Sequence, residues 1–450
     1  MHYYCCNSIL RLVTVSAGHH CPAAFKCIVA DPSICLRGSA RILGLFVSPD
    51  SNFLISRSDG CESLRPSLGA DRITMIPPEL ILMVLDHIKD DKETMFSCSL
   101  VCRDWLYIAR MTLFRKLQFN AGATNFDQEF VNFLHFFGSA PFTARYVHSI
   151  SLATQGTEER NFKPGRITTS HIKALIPIFP HLRELSLTRI DWRSTEIHQM
   201  DKIQTLRLTT VSSQDCEHWL NLVGTFPSLQ QLVIDRFFIP MPMLNAIHHD
   251  APSSGTTDST LDHLQVLDIQ YTPLASRILT ALRRVSELKT LHTFSVNLIH
   301  AADITCVQQA LHAARSVLTN LHLTLTLAAG YLVTELCDLL GGLPFSSLTG
   351  LRTIAFSITY SSPCWLWDCI VVMLSRTCAS VQVVRFTFLF RYYNTVPWNE
   401  LDQVLVSLPS LNKVEFVNHR QAGEAIPKDF SFLMELGLPL THEKGLLFCP

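Results

Sequence analysis

Apolar residues recur with two different periods along the chain, and the change of period marks its predicted organisation. Between residues 76 and 115 they recur at helical spacing. From Val147 onward, a short strand-like template of three apolar residues returns many times. Four units are predicted: an N-terminal extension (residues 1–72), a helical unit (73–118), a repeat domain (145–420) and a C-terminal tail that caps the last repeat (421–450).

The helical unit is predicted to contain three short helices. Pro77 and Pro78 suit the first turn of the first helix, because the N–H group that proline lacks has no partner there. The apolar stripe of this helix is widened by Met83 and comprises Leu80, Ile81, Val84, Leu85 and Ile88. About forty residues cannot bury so many large side chains within themselves. We therefore expect the unit to pack against another domain or another chain.

The repeat template has the form L-x-x-L-x-L with apolar substitutions. It begins as Val147-Ile150-Leu152 and ends as Leu411-Val414-Phe416, and its ten phases give a period of about 29 residues, which is typical of a solenoid. Helical patterns lie between the strands. The predicted fold class is therefore α/β, with a short three-helix unit followed by an irregular α/β solenoid of parallel strands, whose helices cover one face of the sheet.

Composition and charge exclude several classes of protein. The formal net charge is −1, so no basic field is available to hold a phosphate backbone, and we expect no nucleic-acid partner. No apolar run is long enough to predict a membrane span. The fifteen cysteines are scattered, and many lie in apolar segments, as do Cys98, Cys306, Cys337 and Cys369. This distribution favours reduced thiols in a cytoplasmic or nuclear protein.

Residues 1–72 carry no sustained period. We expect them to be an unstructured extension or a segment that is not natively translated, with Met75 as an alternative start. A zinc cluster there is not expected, because no standard ligand spacing occurs among His19, His20, Cys21 and Cys27.

The repeats offer a candidate surface but no catalytic motif. We find no phosphate-binding glycine loop and no nucleophile motif, so we expect no catalytic residue, no metal and no cofactor. Aromatic residues that follow the strands are candidates for a target-binding surface, since aromatics are enriched at binding anchors. They are Trp192, Phe237, Phe238, Tyr271, Tyr360, Tyr392 and Tyr393.

A Pro-x-Glu-Leu opening and an LVCRxW centre follow one another in the helical unit. The residues are Ile76-Pro77-x-Glu79-Leu80-Ile81-x-x-Val84-Leu85-x-x-Ile88, then Ser99-Leu100-Val101-Cys102-Arg103-x-Trp105, then Leu113-Phe114. In order and distance they resemble the F-box. The resemblance implies docking on the Skp adaptor of cullin-based (SCF) ubiquitin ligases. The residues that it places at or beneath the docking surface are Pro77, Glu79, Leu80, Ile81, Leu85 and Ile88. It also implies that Val101, Cys102 and Trp105 pack the bundle.

The repeats resemble the divergent leucine-rich-repeat-like tails of F-box proteins, notably those abundant in fungi. They depart from that pattern at the ninth position after each strand start, where Asn or Cys is expected. The residues found there include Ile190, Val211, Phe237 and Thr272, so no asparagine ladder can satisfy the turns. The function implied is a non-enzymatic adaptor that binds a Skp-type adaptor, and through it a cullin, and presents a protein target. The alternative is a non-catalytic repeat scaffold in which the helical unit only caps the solenoid.

Overall fold

The computed structural model describes twelve segments of the chain. They are residues 77–88, 91–100, 103–122, 125–155, 165–192, 200–213, 216–237, 261–326, 333–358, 365–388, 396–418 and 430–448. The chain divides into two units, Met1–Met75 and Ile76–Pro450, and all the described residues belong to the second. The expected extension and the candidate zinc cluster lie outside the described residues.

Three helices open the described chain, at the positions predicted from the apolar periodicity. They are α1 (Pro78–His87), α2 (Lys92–Cys98) and α3 (Arg103–Phe114). Asp91 caps α2, since its Oδ1 accepts a hydrogen bond from the Thr94 backbone N–H at 3.0 Å. Ile81, Leu85, Met95, Ile108 and Ala109 form the buried core of these helices. This core is separate from that of the repeats.

The remaining described elements alternate between strand and helix. The strands are β1 (Lys116–Gly122), β2 (Ser149–Gln155), β3 (Gly165–Ile167), β4 (Glu184–Thr188), β5 (Ile190–Trp192), β6 (Thr205–Thr209), β7 (Ser212–Ser213), β8 (Gln231–Asp235), β9 (Val266–Gln270), β10 (Thr293–Leu298), β11 (Asn320–Leu325), β12 (Thr353–Ile358), β13 (Val383–Phe388), β14 (Lys413–Asn418) and β15 (Leu447–Phe448). The helices are α4 (Phe126–Ser139), α5 (Pro141–Ala144), α6 (Thr169–Ile178), α7 (Cys216–Gly224), α8 (Ala275–Val285), α9 (Ala301–Ala314), α10 (Val333–Gly341), α11 (Trp365–Ser375), α12 (Trp398–Ser407), α13 (Phe430–Gly437) and α14 (Pro439–Glu443), with a 3₁₀ turn at Phe345–Ser347.

Within the described residues, twelve strands form one continuous parallel sheet. Its order is β1-β2-β4-β6-β8-β9-β10-β11-β12-β13-β14-β15, and β3, β5 and β7 form a second, small parallel sheet. Strand neighbours in space are thus neighbours in the chain apart from this small sheet, as in a solenoid. The prediction of an α/β fold with parallel strands joined by helices is confirmed.

Side chains alternate between the two faces of the large sheet. The apolar template residues point to the helix-covered face and are buried, as Leu267 and Ile269 are in β9. The residues between them lie on the opposite face, which we call the open face. Neighbouring strands are in matched register, so equivalent open-face positions form rows that cross the strands.

The sheet begins one strand earlier than the template predicted. β1 pairs with β2 so that Leu117 and Phe119 lie beside Ile150 and Leu152. Phe114, Leu117 and Phe119 keep the template spacing, so the first repeat starts at Phe114 and not at Val147. The apolar pattern of the helical unit hid this repeat, because Phe114 also ends α3.

Left-handed residues replace the expected asparagine ladder in the turns after four strands. Arg189, Thr210, Arg236 and Tyr271 have φ values of 56°, 55°, 56° and 47°. The next residue in the first three turns (Ile190, Val211 or Phe237) is apolar and buried. Threonine hydroxyls satisfy two of these turns: Thr154 donates to the Arg189 carbonyl, and Thr272 donates to the Phe237 carbonyl at 3.1 Å.

Two buried carboxylates connect elements of different repeats. Asp303 in α9 accepts hydrogen bonds from the backbone N–H groups of Ser276, Ile299 and His300 at 2.9, 3.0 and 2.8 Å. Ser276 belongs to the preceding helix, so the carboxylate joins α8 to α9. Asp402 in α12 accepts from the N–H groups of Leu440 and Thr441, both at 2.8 Å. It thereby attaches α14 to the last repeat.

Two of the cysteines predicted to be reduced form a disulfide. Cys337 in α10 and Cys369 in α11 are joined, with their Cα atoms 5.3 Å apart. The prediction failed here because cysteine spacing along the sequence does not reveal that these two helices pack side by side. Cys98 and Cys306 are free thiols, as predicted. Among the described helices, none combines the length and the hydropathy that crossing a bilayer requires.

Candidate functional site

The first helix presents an exposed apolar face. Leu80, Met83 and Val84 are 50%, 67% and 49% exposed, and their spacing places them on one side of α1. We call these three residues the α1 face. Leu100, after α2, is also exposed. Large apolar side chains clustered in this way are typical of a docking surface.

The residues expected at or beneath the docking surface divide into two groups. Pro77, Glu79 and Leu80 are exposed, whereas Ile81 and Leu85 belong to the core of the three-helix unit. Ile88 is half-buried against that core. The buried members can therefore hold α1 in place but cannot contact a partner. Met83 and Val84 contribute to the exposed face although neither was among the expected docking residues.

One of the three predicted bundle residues is described by the structure. Trp105 is half-buried and packs against the core of the three-helix unit, as predicted. Val101 and Cys102 lie outside the described residues.

The predicted target-binding aromatics are only partly on the surface. Trp192 and Phe237 are fully buried core residues, so their assignment to a binding surface is wrong. Tyr271 is 49% exposed. Phe238, Tyr360, Tyr392 and Tyr393 lie outside the described residues.

The left-handed turns explain this difference. At the end of β8, the left-handed residue is Arg236, and the chain reverses so that Phe237 faces the core. At the end of β9, the left-handed residue is itself aromatic, so Tyr271 stays outside. The position in the repeat separates these cases: in all four turns the eighth template residue is left-handed, as Tyr271 is, and the ninth is buried, as Phe237 is.

A polar recess lies on the open face beside Tyr271. It has a volume of about 270 Å³ and is lined by Asp268, Gln270, Tyr271, Ser295, His322, Thr324, Ser357, Ile358 and Thr387. The strand register creates it, since Asp268, Ser295 and His322 are direct neighbours on β9, β10 and β11. The sequence carried a signal for this row, because each of the three residues stands between the last two apolar residues of its template.

A hydrogen-bond network connects the residues of the recess. His322 is at its centre, with Nδ1 3.2 Å from Ser295 Oγ and Nε2 2.7 Å from Ser357 Oγ. Gln270 Nε2 donates to Asp268 Oδ1 at 2.9 Å and to Ser295 Oγ at 2.5 Å. Thr324 Oγ1 donates to Gln270 Oε1 at 3.2 Å. The network spans four strands, β9 to β12, and fixes these side chains without a ligand.

Burial sets the protonation states around the recess. It lowers the pKa of His322 below its ordinary value, and this effect outweighs the opposing influence of Asp268. His322 is therefore neutral at pH 7. Burial also raises the pKa of Asp235, which neighbours Gln270 on β8; the nearby Arg236 opposes this shift, and Asp268 adds to it.

These contacts do not assemble a hydrolytic Ser–His–Asp relay. Such a relay requires a carboxylate on one ring nitrogen of histidine and the nucleophilic hydroxyl on the other. Here serine hydroxyls occupy both nitrogens of His322, and Asp268 is bonded to Gln270 instead. The arrangement is suited to binding a polar group.

Among the described residues, no cluster of three or more His, Cys, Asp or Glu side chains could hold a metal ion. A comparison with protein-family models matched none of them, and a comparison with curated proteins likewise gave no match.

Proposed function

We propose that this chain is a substrate-recognition adaptor of a cullin-based SCF ubiquitin ligase. In this proposal the three-helix unit is an F-box-like module that docks on a Skp-type adaptor. The irregular, leucine-rich-repeat-like solenoid presents a protein target. The chain has no catalytic role of its own: it raises the concentration of the target near a ubiquitin-loaded enzyme.

The α1 face is the observation that carries this proposal. A helical unit that merely capped the solenoid would turn its apolar surface towards the repeats. Instead, Leu80, Met83 and Val84 point to solvent, and the unit encloses a core of its own. Contact with the repeat side of the chain comes from α3, where the Tyr107 ring meets that of Tyr146 at a centroid distance of 5.7 Å. The side of the unit that contacts the repeats, on α3, is thus different from its exposed apolar face on α1.

The test is a binding measurement between the full chain and a purified Skp-type adaptor. The informative variant is Leu80→Asp with Val84→Asp, because both side chains are exposed and their replacement leaves the core intact. We expect a loss of at least about 30-fold in affinity, equivalent to about 2 kcal/mol, as for truncation of an interface hot spot. Leu85→Asp would be uninformative, since Leu85 is fully buried and an aspartate there would unfold the unit.

A matched control is available on the first helix of the repeats. Val131 in α4 is also a largely exposed aliphatic residue, and Val131→Asp should leave adaptor binding unchanged. Failure of the wild-type chain to bind the adaptor, or equal binding by the Leu80/Val84 variant, would refute the docking role. The scaffold alternative would then remain, and it predicts that deleting residues 77–113, which leaves the first repeat whole, unfolds the repeats.

A further inference from the structure

A buried amide oxygen without a donor lies beside the recess. Asn297 is on the open face of β10, and in the strand register it lies beside Thr324, one of the lining residues. It is only 1% exposed, and its Oδ1 has no hydrogen-bond partner among the described residues. A buried amide oxygen without a donor is uncommon in folded proteins, so the interior beside the recess is polar.

A second acceptor lies next to the recess. Asp235 Oδ1 is buried and accepts no hydrogen bond among the described residues; the nearest cation is Arg236 Nε, at 3.6 Å. Asp235 neighbours Gln270, the lining residue that organises the network. Asp235 and Asp268 thus lie on the open face of neighbouring strands, β8 and β9, and Asp268 is the one that lines the recess.

The charge of the lining favours a cation. Asp268 is the one lining residue with a formal charge at pH 7, since His322 is neutral there. Its carboxylate receives a single donor from the described residues, the amide of Gln270. Of the described arginines on and beside these strands, Arg385 is paired with Glu415, Arg207 with Glu184 and Arg236 with Asp235. An anionic group entering the recess would meet Asp268 without a free basic partner.

The rim of the recess adds an aromatic surface. The Tyr271 side chain is half exposed and lines the same recess as Asp268. The face of a tyrosine ring attracts ammonium and guanidinium groups through its quadrupole. An acidic group and an exposed aromatic ring in one recess together provide the contacts that a basic side chain makes.

We propose that the recess binds the basic side chain, arginine or lysine, of a protein ligand. Asp268 would pair with the cationic head, and the Tyr271 ring would lie against the head and its aliphatic stem. The recess, at about 270 Å³, is large enough for such a side chain. This inference rests on the proposed function only in identifying that ligand with the target to be ubiquitinated, and it names the chemistry by which the solenoid selects it.

The probe for this site is agmatine, which carries the guanidinium head and aliphatic stem of arginine. Its binding to the full chain can be measured by saturation-transfer difference NMR, which suits weak ligands of large proteins. We expect saturable binding of agmatine by the wild type and none of glutarate, an anion of comparable length. Asp268→Asn keeps the shape of the side chain and should weaken agmatine binding about tenfold, the loss expected when a charge-assisted hydrogen bond is removed.

Two further variants distinguish binding from folding. Asp338→Asn removes an equal charge from an exposed position on α10 and should leave agmatine binding unchanged. Tyr271→Ala replaces an exposed ring and should weaken binding several-fold without lowering the melting temperature. No binding of agmatine by the wild type, equal binding by Asp268→Asn, or stronger binding of glutarate would overturn the proposal. Because no Skp-type adaptor is present in this assay, its result is independent of the docking test.

Discussion

Replacing Asp303 with alanine is expected to destabilise the repeats more than any surface substitution. The carboxylate is fully buried and accepts hydrogen bonds from the N–H groups of Ser276, Ile299 and His300. Two of these donors precede α9, and the third is in α8. Removing the acceptor would leave all three donors without a charged partner, in a place that water does not reach.

The expected change in the free energy of unfolding follows from three lost hydrogen bonds and from one compensating gain. A buried N–H without a partner costs about 1–3 kcal/mol, so three give about 3–9 kcal/mol. The variant no longer has to desolvate a carboxylate, which offsets part of this loss. We therefore expect a net loss of about 3–5 kcal/mol, a large share of the roughly 5–15 kcal/mol that holds a domain folded. Asp303→Asn should lose less, about 1–3 kcal/mol, since one acceptor oxygen remains.

The assay is equilibrium unfolding of the full chain in urea, followed by circular dichroism. Asp338→Ala is the matched control, because Asp338 is an exposed aspartate on α10, and the two variants remove the same charge. An unfolding free energy of Asp303→Ala within about 0.5 kcal/mol of this control, the range usual for surface substitutions, would refute the stabilising role of Asp303. Three good bonds to a buried carboxylate would then contribute nothing beyond its desolvation.

Two further predictions concern acid and reductant. Burial alone would raise the pKa of Glu415, but hydrogen bonds from Lys413 and Arg385 outweigh it and hold the pKa below its ordinary value. Glu415 therefore stabilises the fold at pH values above the pKa that it has in the unfolded chain, and this contribution is lost as pH falls through the pKa of the folded state. Between about pH 5 and 3, the melting temperature of Glu415→Gln should therefore fall less than that of the wild type. The Cys337–Cys369 bond closes a loop with a sequence separation of 32, which corresponds to about 3–4 kcal/mol in the chain-entropy view. Dithiothreitol should therefore lower the melting temperature of the oxidised protein, whereas Cys369→Ala should be insensitive to it.

The repeats could be predicted from the sequence because the residues of the apolar template are also the residues that pack in the core. Leu182-Leu185-Leu187 and its later equivalents are buried in the core. The same rule could have located the recess. The residues between the last two template positions are Asp268, Ser295 and His322 in three successive repeats, and parallel pairing places them side by side.

Other features could not be predicted from the apolar pattern. The left-handed conformation of the eighth template residue, where Arg236 and Tyr271 stand, is one of them, because no residue type at that position demands φ above zero. Asp303 and Asp402 appear in the sequence as ordinary polar positions of amphipathic helices, although each is buried. Their role depends on backbone N–H groups supplied by another element, which becomes visible only when the elements are packed.

The separate core of the three-helix unit makes its stability depend on its surroundings. Five buried side chains form this core, while the α1 face is exposed to solvent. Any partner that covers that face and binds only the folded helices adds its binding free energy to theirs, about 2.7 kcal/mol at a hundred times the dissociation constant. The repeats gain nothing directly from such a partner, because their core is distinct. The folded population of the helical unit can thus follow the concentration of its partner while the solenoid remains folded throughout.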